Sequence, residues 1–308
     1  MSSRTYEEIP VTTMASGFRV TLPLHRLVGA QAGPTLGITA LVHGDEPLPL
    51  SALKKFVGEV DLAKLKGTLL VMPVANPLAY EAQSRHTPHD GINLNRYFPG
   101  APDGYVSEQI ANTIVTKFLP QVQFLIDLHS GGVHPVVDYA YLSKIRPEMS
   151  FAFGTNLLYD GPGYRGTLSG TAEEQKIPAV VVELGGGSYD ATSHYIQSGV
   201  RGIYNVMKYL GMWDGAPDVP AKQTVVKQMG VIHPHVGGVL YPETGLDQLG
   251  KIIPGGTVLG RVYSPYTFEE IEVLKAPFER NYTILLRGMI ARVNPGDFAY
   301  MCANADIA

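Results

Sequence analysis

Apolar runs of strand length alternate with stretches of helical periodicity through the first 215 residues. Residues 35–42 and 68–74 are continuous apolar runs rich in β-branched side chains, as expected of strands buried on both faces. Between them, 48–60 carries helical spacing and follows Pro47, a residue suited to a first helical turn because the N–H it lacks would be unpaired there anyway. In 106–119, Ile110, Ile114, Val115 and Phe118 recur at helical spacing before Pro120 ends the pattern. Residues 124–128 and 179–184 read as two more buried strands, and 195–210 as a closing helix stopped by Gly211. This alternation predicts an α/β sheet with helices on both faces.

The pattern changes at Trp213-Asp214-Gly215-Ala216-Pro217-Asp218-Val219-Pro220, a stretch suited to a linker. Beyond it helical periodicity is lost, and β-type segments at 238–240, 257–262 and 282–286 are separated by Gly and Pro turns. The expected organisation is a large domain over 1–215 and a small all-β barrel or sandwich over 222–308. The phrases 253–260 and 293–298 are similar to turns of lipoyl and biotinyl β-sandwich domains. No Met-Lys or Asp-Lys hairpin marks a carrier lysine, and Lys251 and Lys275 do not fit one, so the segment reads as a structural or capping domain.

Candidate chemistry sits at strand ends. His43-Gly44-Asp45-Glu46 follows the run 36–42, and Asp127-Leu128-His129-Ser130 closes the run from 124, so both project polar side chains from carboxyl ends of buried strands. Two imidazoles and a carboxylate with a fourth position left for water are the ligand set of hydrolytic zinc, which makes His43, Glu46 and His129 the expected holders of one Zn²⁺. Glu183 follows three valines and precedes three glycines, Gly185, Gly186 and Gly187, across Leu184. Beside a metal, such a spare carboxylate is suited to proton transfer. Asn95-Arg96, within Asp90-Gly91-Ile92-Asn93-Leu94-Asn95-Arg96-Tyr97, offers a guanidinium fork and an amide that match a carboxylate. Arg165, in Tyr164-Arg165-Gly166-Thr167, either reaches the acyl or side-chain end of a substrate or belongs to an ordinary surface loop. His86, His89, His134, His194, His233 and His235 lie near Gly, Pro or Ser and read as ordinary loop histidines.

In these four elements the chain resembles the zinc carboxypeptidase superfamily and, within it, the succinylglutamate desuccinylase/aspartoacylase family, over roughly residues 15–215. The resemblance implies a three-layer α/β/α catalytic domain. It implies zinc on His43, Glu46 and His129, Asn95 and Arg96 on the substrate α-carboxylate, and Glu183 as general base. Arg85 stands where the family often has an arginine that polarises the scissile carbonyl. The implied activity is hydrolysis of the amide bond of a small N-acyl amino acid. Within the family the C-terminal β domain and the Gly-Asp-Glu-Pro context suit the branch that includes deacetylases of N-acetylated diamino acids. A peptide carboxypeptidase and a catalytically inert amino-acid-binding protein are the other readings.

Composition narrows the setting. Hydrophobic residues make up 45% and charged ones 17%, enough for a large buried core. A net charge of −4 leaves no basic surface for nucleic acid. One cysteine, Cys302, excludes an internal disulfide, and no run approaches the roughly 18 apolar residues of a membrane span. With no apolar signal core at the start, the expected location is the cytoplasm. Oligomeric state stays open, a homo-oligomer included.

Overall fold

A computed structural model of the chain describes residues 2–187 and 193–306. Its centre is a mixed nine-stranded sheet. The strands of this sheet are β1 (Ser3–Thr13), β2 (Arg19–Val28), β3 (Gln31–Ala40), β4 (Lys66–Met72), β5 (Phe124–His129), β6 (Tyr139–Tyr141), β7 (Leu157–Tyr159), β8 (Ala179–Glu183) and β9 (Thr224–Val226), in the order β1-β2-β4-β3-β5-β8-β6-β7-β9. The four central strands β4, β3, β5 and β8 run parallel. The helices are α1 (Pro47–Glu59), α2 (Pro77–Glu81), α3 (Val106–Thr113), α4 (Pro147–Phe153), α5 (Leu168–Glu174) and α6 (His194–Tyr209).

Both faces of the sheet are covered, which is why the central strands read as unbroken apolar runs rather than as alternating ones. On one face Ile38, Leu69, Val71, Ile126, Leu128, Val180 and Val182 pack with α1, α4 and α6. On the other, Leu70, Met72, Leu125 and Ala179 pack with α2, α3 and α5. Strand alternation puts Asp127 and His129 on the second face with Leu125, and Glu183 there with Ala179. The three-layer α/β/α expectation holds.

The differences are local. The helix expected over 106–119 is α-helical only to Thr113 and continues as a wider turn over Ile114–Phe118. The long antiparallel ribbon of β1 and β2 at the sheet edge escapes the hydrophobic pattern because β1 is almost entirely exposed. The boundary expected at 222 falls before β9, whose hydrogen bonding to β7 puts residues 224–226 in the large sheet. We therefore place the start of the C-terminal unit at Met229.

That unit consists of β10 (Met229–Ile232), β11 (Gly238–Pro242), β12 (Ile252–Pro254), β13 (Val258–Tyr263), β14 (Glu270–Lys275), β15 (Arg280–Leu285), β16 (Ala291–Val293) and β17 (Tyr300–Asn304). They form two four-stranded sheets, β10-β17-β15-β12 and β14-β13-β11-β16, around a core of Leu240, Leu259, Val262, Leu286, Tyr300 and the buried Cys302. The unit is not a free appendage. Val136, Tyr139, Tyr159 and Val226 pack against Ile284, Leu285 and Met301, and backbone bonds join Val137 to Ile284 and Leu286 to Pro135. Arg287 donates to the carbonyls of Phe298 and Ala299 and lies 3.0 Å from His134 Nδ1. The C-terminal unit thus holds the loop that leaves β5 just after His129. Among the described residues, no helix is long and apolar enough to cross a membrane.

Candidate active site

His43 reaches the site because the chain turns sharply out of β3. Leu41 adopts φ 53°, and the following backbone is tied to the segment before α2 by hydrogen bonds from Ala75 to Ala40 and from Asn76 to Leu41. Gly44 packs so tightly on α2 that a Cβ there would fall 2.0 Å from the Ala79 carbonyl, so no larger residue fits between His43 and Glu46 without moving α2. Glu46 precedes Pro47 at the start of α1, and its side chain makes no capping bond to the helix. Its carboxylate turns to the histidines instead.

The three ligand candidates converge. His43 Nδ1 lies 2.8 Å from Glu46 Oε1 and His129 Nδ1 lies 2.9 Å from Glu46 Oε2. All three side chains are buried, and their ligand atoms fall within 4.8 Å of one another. The far side of each ring faces an oxygen: His43 Nε2 is 3.0 Å from Asn93 Oδ1, and His129 Nε2 is 3.2 Å from Asp127 Oδ2. Protons on the Nε2 atoms satisfy those acceptors and leave both Nδ1 lone pairs on the side of the Glu46 carboxylate, the arrangement of histidine metal ligands oriented by an oxygen behind them. The donor set therefore fits a divalent metal.

Further bonds fix this cluster. Thr39, the cross-strand neighbour of Asp127, donates from Oγ1 to Asp127 Oδ1 at 2.7 Å. The Ser130 N–H and Arg85 Nη1 each donate to Glu46, at 3.1 Å. Without a metal, burial pushes the His43 imidazolium down to about 4. Burial also opposes charge on His129, but the carboxylates of Asp127 and Glu46 outweigh it and hold that ring well above the usual range.

Glu183 is the register partner of His129 on the adjacent strand. Burial, reinforced by the charge of Glu46, pushes its carboxyl up to about 7, against the opposing pull of His129 and Arg85. A carboxylate of that basicity can accept and return a proton near neutral pH.

Asn95 and Arg96 line the same cavity, of about 240 Å³, as His43, His129 and Glu183. Asn95 Oδ1 accepts from the Leu168 N–H at 3.0 Å, which fixes the amide in the cavity wall. Arg96 stacks on Tyr164, 4.0 Å from guanidinium carbon to ring centroid, and donates to the Asn95 carbonyl. Its pKa is lowered by burial and by the neighbouring Arg85, so an anion beside the pair relieves a repulsion.

Arg165 is the exception. It is exposed and does not line the cavity, whereas Tyr164, its neighbour, does. Sequence reasoning also passed over Asn93, Asp127 and Thr39. A signal existed for Asp127, since a carboxylate two residues before a strand-end histidine must share its face. Asp127→Asn is expected to weaken metal binding by about 10- to 100-fold, the usual scale for losing such an orienting partner. Competition with a chromophoric chelator measures this, and unchanged affinity would show that Asp127 does not orient His129.

Residues 32–210 match the family model of the succinylglutamate desuccinylase/aspartoacylase catalytic domain. An N-alpha-acetyl-L-2,4-diaminobutyric acid deacetylase from Halomonas elongata is 29% identical over 306 residues, spanning 94% of this chain and 88% of that protein. The succinylglutamate desuccinylase/aspartoacylase of Rhodobacter sphaeroides superposes with a TM-score of 0.85 at 22% identity, over 98% of this chain and 95% of that one. The product-bound ectoine utilization protein EutE of Ruegeria pomeroyi gives 0.85 at 24%, over 99% and 95%. At those identities the two structures speak for the fold, and the match to the catalytic-domain model speaks for the family. With its metal-ligand candidates and the Asn95-Arg96 pair inside the matched segment, the chain belongs to the succinylglutamate desuccinylase/aspartoacylase family.

Proposed function

We propose that this protein is a zinc-dependent amidohydrolase that removes the acyl group of an N-acyl amino acid, releasing a carboxylate and a free amino acid. One observation carries this reading: the two histidines of a His-Glu-His metal set, a carboxyl with a pKa of about 7 and an Asn-Arg pair all open onto one cavity. The Halomonas elongata deacetylase, which by its name acts on an N-acetylated amino acid, supports it. Zinc on His43, Glu46 and His129 supplies Lewis acidity for the water and the scissile carbonyl. Glu183 takes the proton from the attacking water and delivers it to the leaving amine. Arg85, half-exposed beside Glu46 and His43, presents a cation to the charge that develops on the carbonyl oxygen. Asn95 and Arg96 hold the α-carboxylate and so fix which amide bond meets Glu183. The single cysteine is buried, in keeping with a reducing compartment such as the cytoplasm.

The clamp decides between a hydrolase of acyl amino acids and one of neutral amides. Arg96→Lys is expected to lower kcat/KM by roughly 1.5–3 kcal/mol per charge-assisted bond removed, because an ammonium does not reproduce the planar fork or the stack on Tyr164. The methyl ester or carboxamide of the same substrate is expected to be poor for the parent enzyme and less affected by the substitution. Equal hydrolysis of acid and neutral analogue by the parent would refute the carboxylate clamp and the amino-acid assignment together.

A further inference from the structure

The cavity continues well past the metal ligands. Ala179, Val181 and Glu183 all line it from one face of β8, so this wall extends about 13 Å from Glu183 toward the opposite end of the strand at roughly 3.3 Å per residue. The opposing wall is α5, whose residues Ser169, Gly170 and Glu173 face the same space. The start of α5 is level with the clamp, since Leu168 donates to Asn95. Glu173 lies five residues further on, about 7.5 Å along the helix at 1.5 Å per residue.

Charge at this far end is unbalanced. The Lys144 ammonium is paired with Asp160 at 3.2 Å, so these two largely cancel. Glu173 is held through one oxygen by the Ser143 hydroxyl and, at 2.9 Å, by the Lys144 N–H, both uncharged donors. Among the described residues it has no ion-pair partner. An anchored carboxylate in a cavity wall, with its counter-charge absent, favours a cationic occupant.

Resting on the deacylase reading above, we propose that Glu173 is a specificity-determining residue that receives the terminal ammonium of the substrate's side chain. The geometry also sets a length. With the α-carboxylate at Asn95 and Arg96, the two-carbon side chain of a 2,4-diamino acid places its nitrogen only about 4 Å from Cα. A lysine side chain, with staggered bonds of about 1.5 Å, reaches roughly 6 Å. The substrate class is an Nα-acyl amino acid whose cationic side chain is of ornithine-to-lysine length, longer than that of diaminobutyrate. Leu142 and Val181, which also line the cavity, suit the methylenes in between.

The test is a comparison of kcat/KM for the Nα-acetyl derivatives of lysine, ornithine, 2,4-diaminobutyrate, norleucine and 2-aminoadipate with zinc-loaded parent enzyme and with Glu173→Gln. Glutamine keeps an acceptor oxygen for Ser143 and Lys144, so the anchor stays while the charge goes. The parent is expected to prefer lysine or ornithine over norleucine by at least 10-fold, and over diaminobutyrate by several-fold. In Glu173→Gln the lysine-to-norleucine ratio is expected to fall toward 1, with the change mainly in KM. Hydrolysis of norleucine as well as lysine by the parent, retention of the ratio by Glu173→Gln, or preference for diaminobutyrate or aminoadipate each overturns this proposal while the deacylase reading stands. Failure to hydrolyse any of the five overturns that reading and the assignment of Glu173 with it.

Discussion

Glu183→Gln is expected to lower kcat by at least about 10², the usual scale for losing a positioned acid or base, while the bound metal remains at parent level. The separation follows from position. The ligand atoms of His43, Glu46 and His129 close on one another without Glu183, which comes in from the neighbouring strand as the register partner of His129. Glutamine matches the glutamate in size and shape but takes up no proton near neutral pH, so the variant reports on proton transfer rather than packing. The raised pKa adds a direction: the working base is the carboxylate, so kcat/KM for the parent should rise with pH as that carboxyl ionises, with a midpoint no higher than about 7. A bound dication nearby lowers that midpoint and does not raise it. Metal analysis beside steady-state kinetics checks both halves, and activity within a few-fold of the parent would show that another group moves the proton.

The second large effect is expected from His129→Ala. It removes one of the three proposed ligands, so metal content should fall from about one per chain to a small fraction and activity should be lost with it. It also unmakes a buried charge arrangement. Asp127 and Glu46 are both buried and both contact His129, and removing a shared partner from buried charges typically costs about 3–5 kcal/mol. The two consequences are separable by comparing thermal unfolding of the metal-free forms of parent and variant. Destabilisation present without metal belongs to the charges, and any further difference with metal belongs to ligation. Full metal occupancy in His129→Ala would strike this residue from the ligand set.

The convergence of the candidate site residues was legible in the sequence because each of these side chains follows a strand that hydrophobicity alone marks out. His43 follows β3 closely, and His129 and Glu183 are the last residues of β5 and β8, parallel strands whose carboxyl ends lie side by side in one sheet. Once the runs are recognised as neighbouring parallel strands, those residues must meet. Asn95-Arg96 was legible by residue type, although nothing local says that Leu168 fixes the amide or that Tyr164 carries the guanidinium.

What the tertiary structure alone decided is whatever depends on contacts between segments far apart in the chain. Arg165 and Tyr164 are equally plausible in sequence, but the loop turns the tyrosine to the cavity and leaves the arginine exposed. The orienting bonds from His43 to Asn93, 50 residues apart, and from Thr39 to Asp127, 88 apart, have no local signature. The short strands β6, β7 and β9 carry too few residues for periodicity to register, so the boundary set by composition missed that Val226 pairs with Tyr159. Hydrophobic period reports whether a segment is buried and on which face. It carries no information about which other segment lies against that face, and in this protein the metal-ligand candidates, their orienting partners and the walls of the cavity come from different segments that only the folded chain brings together.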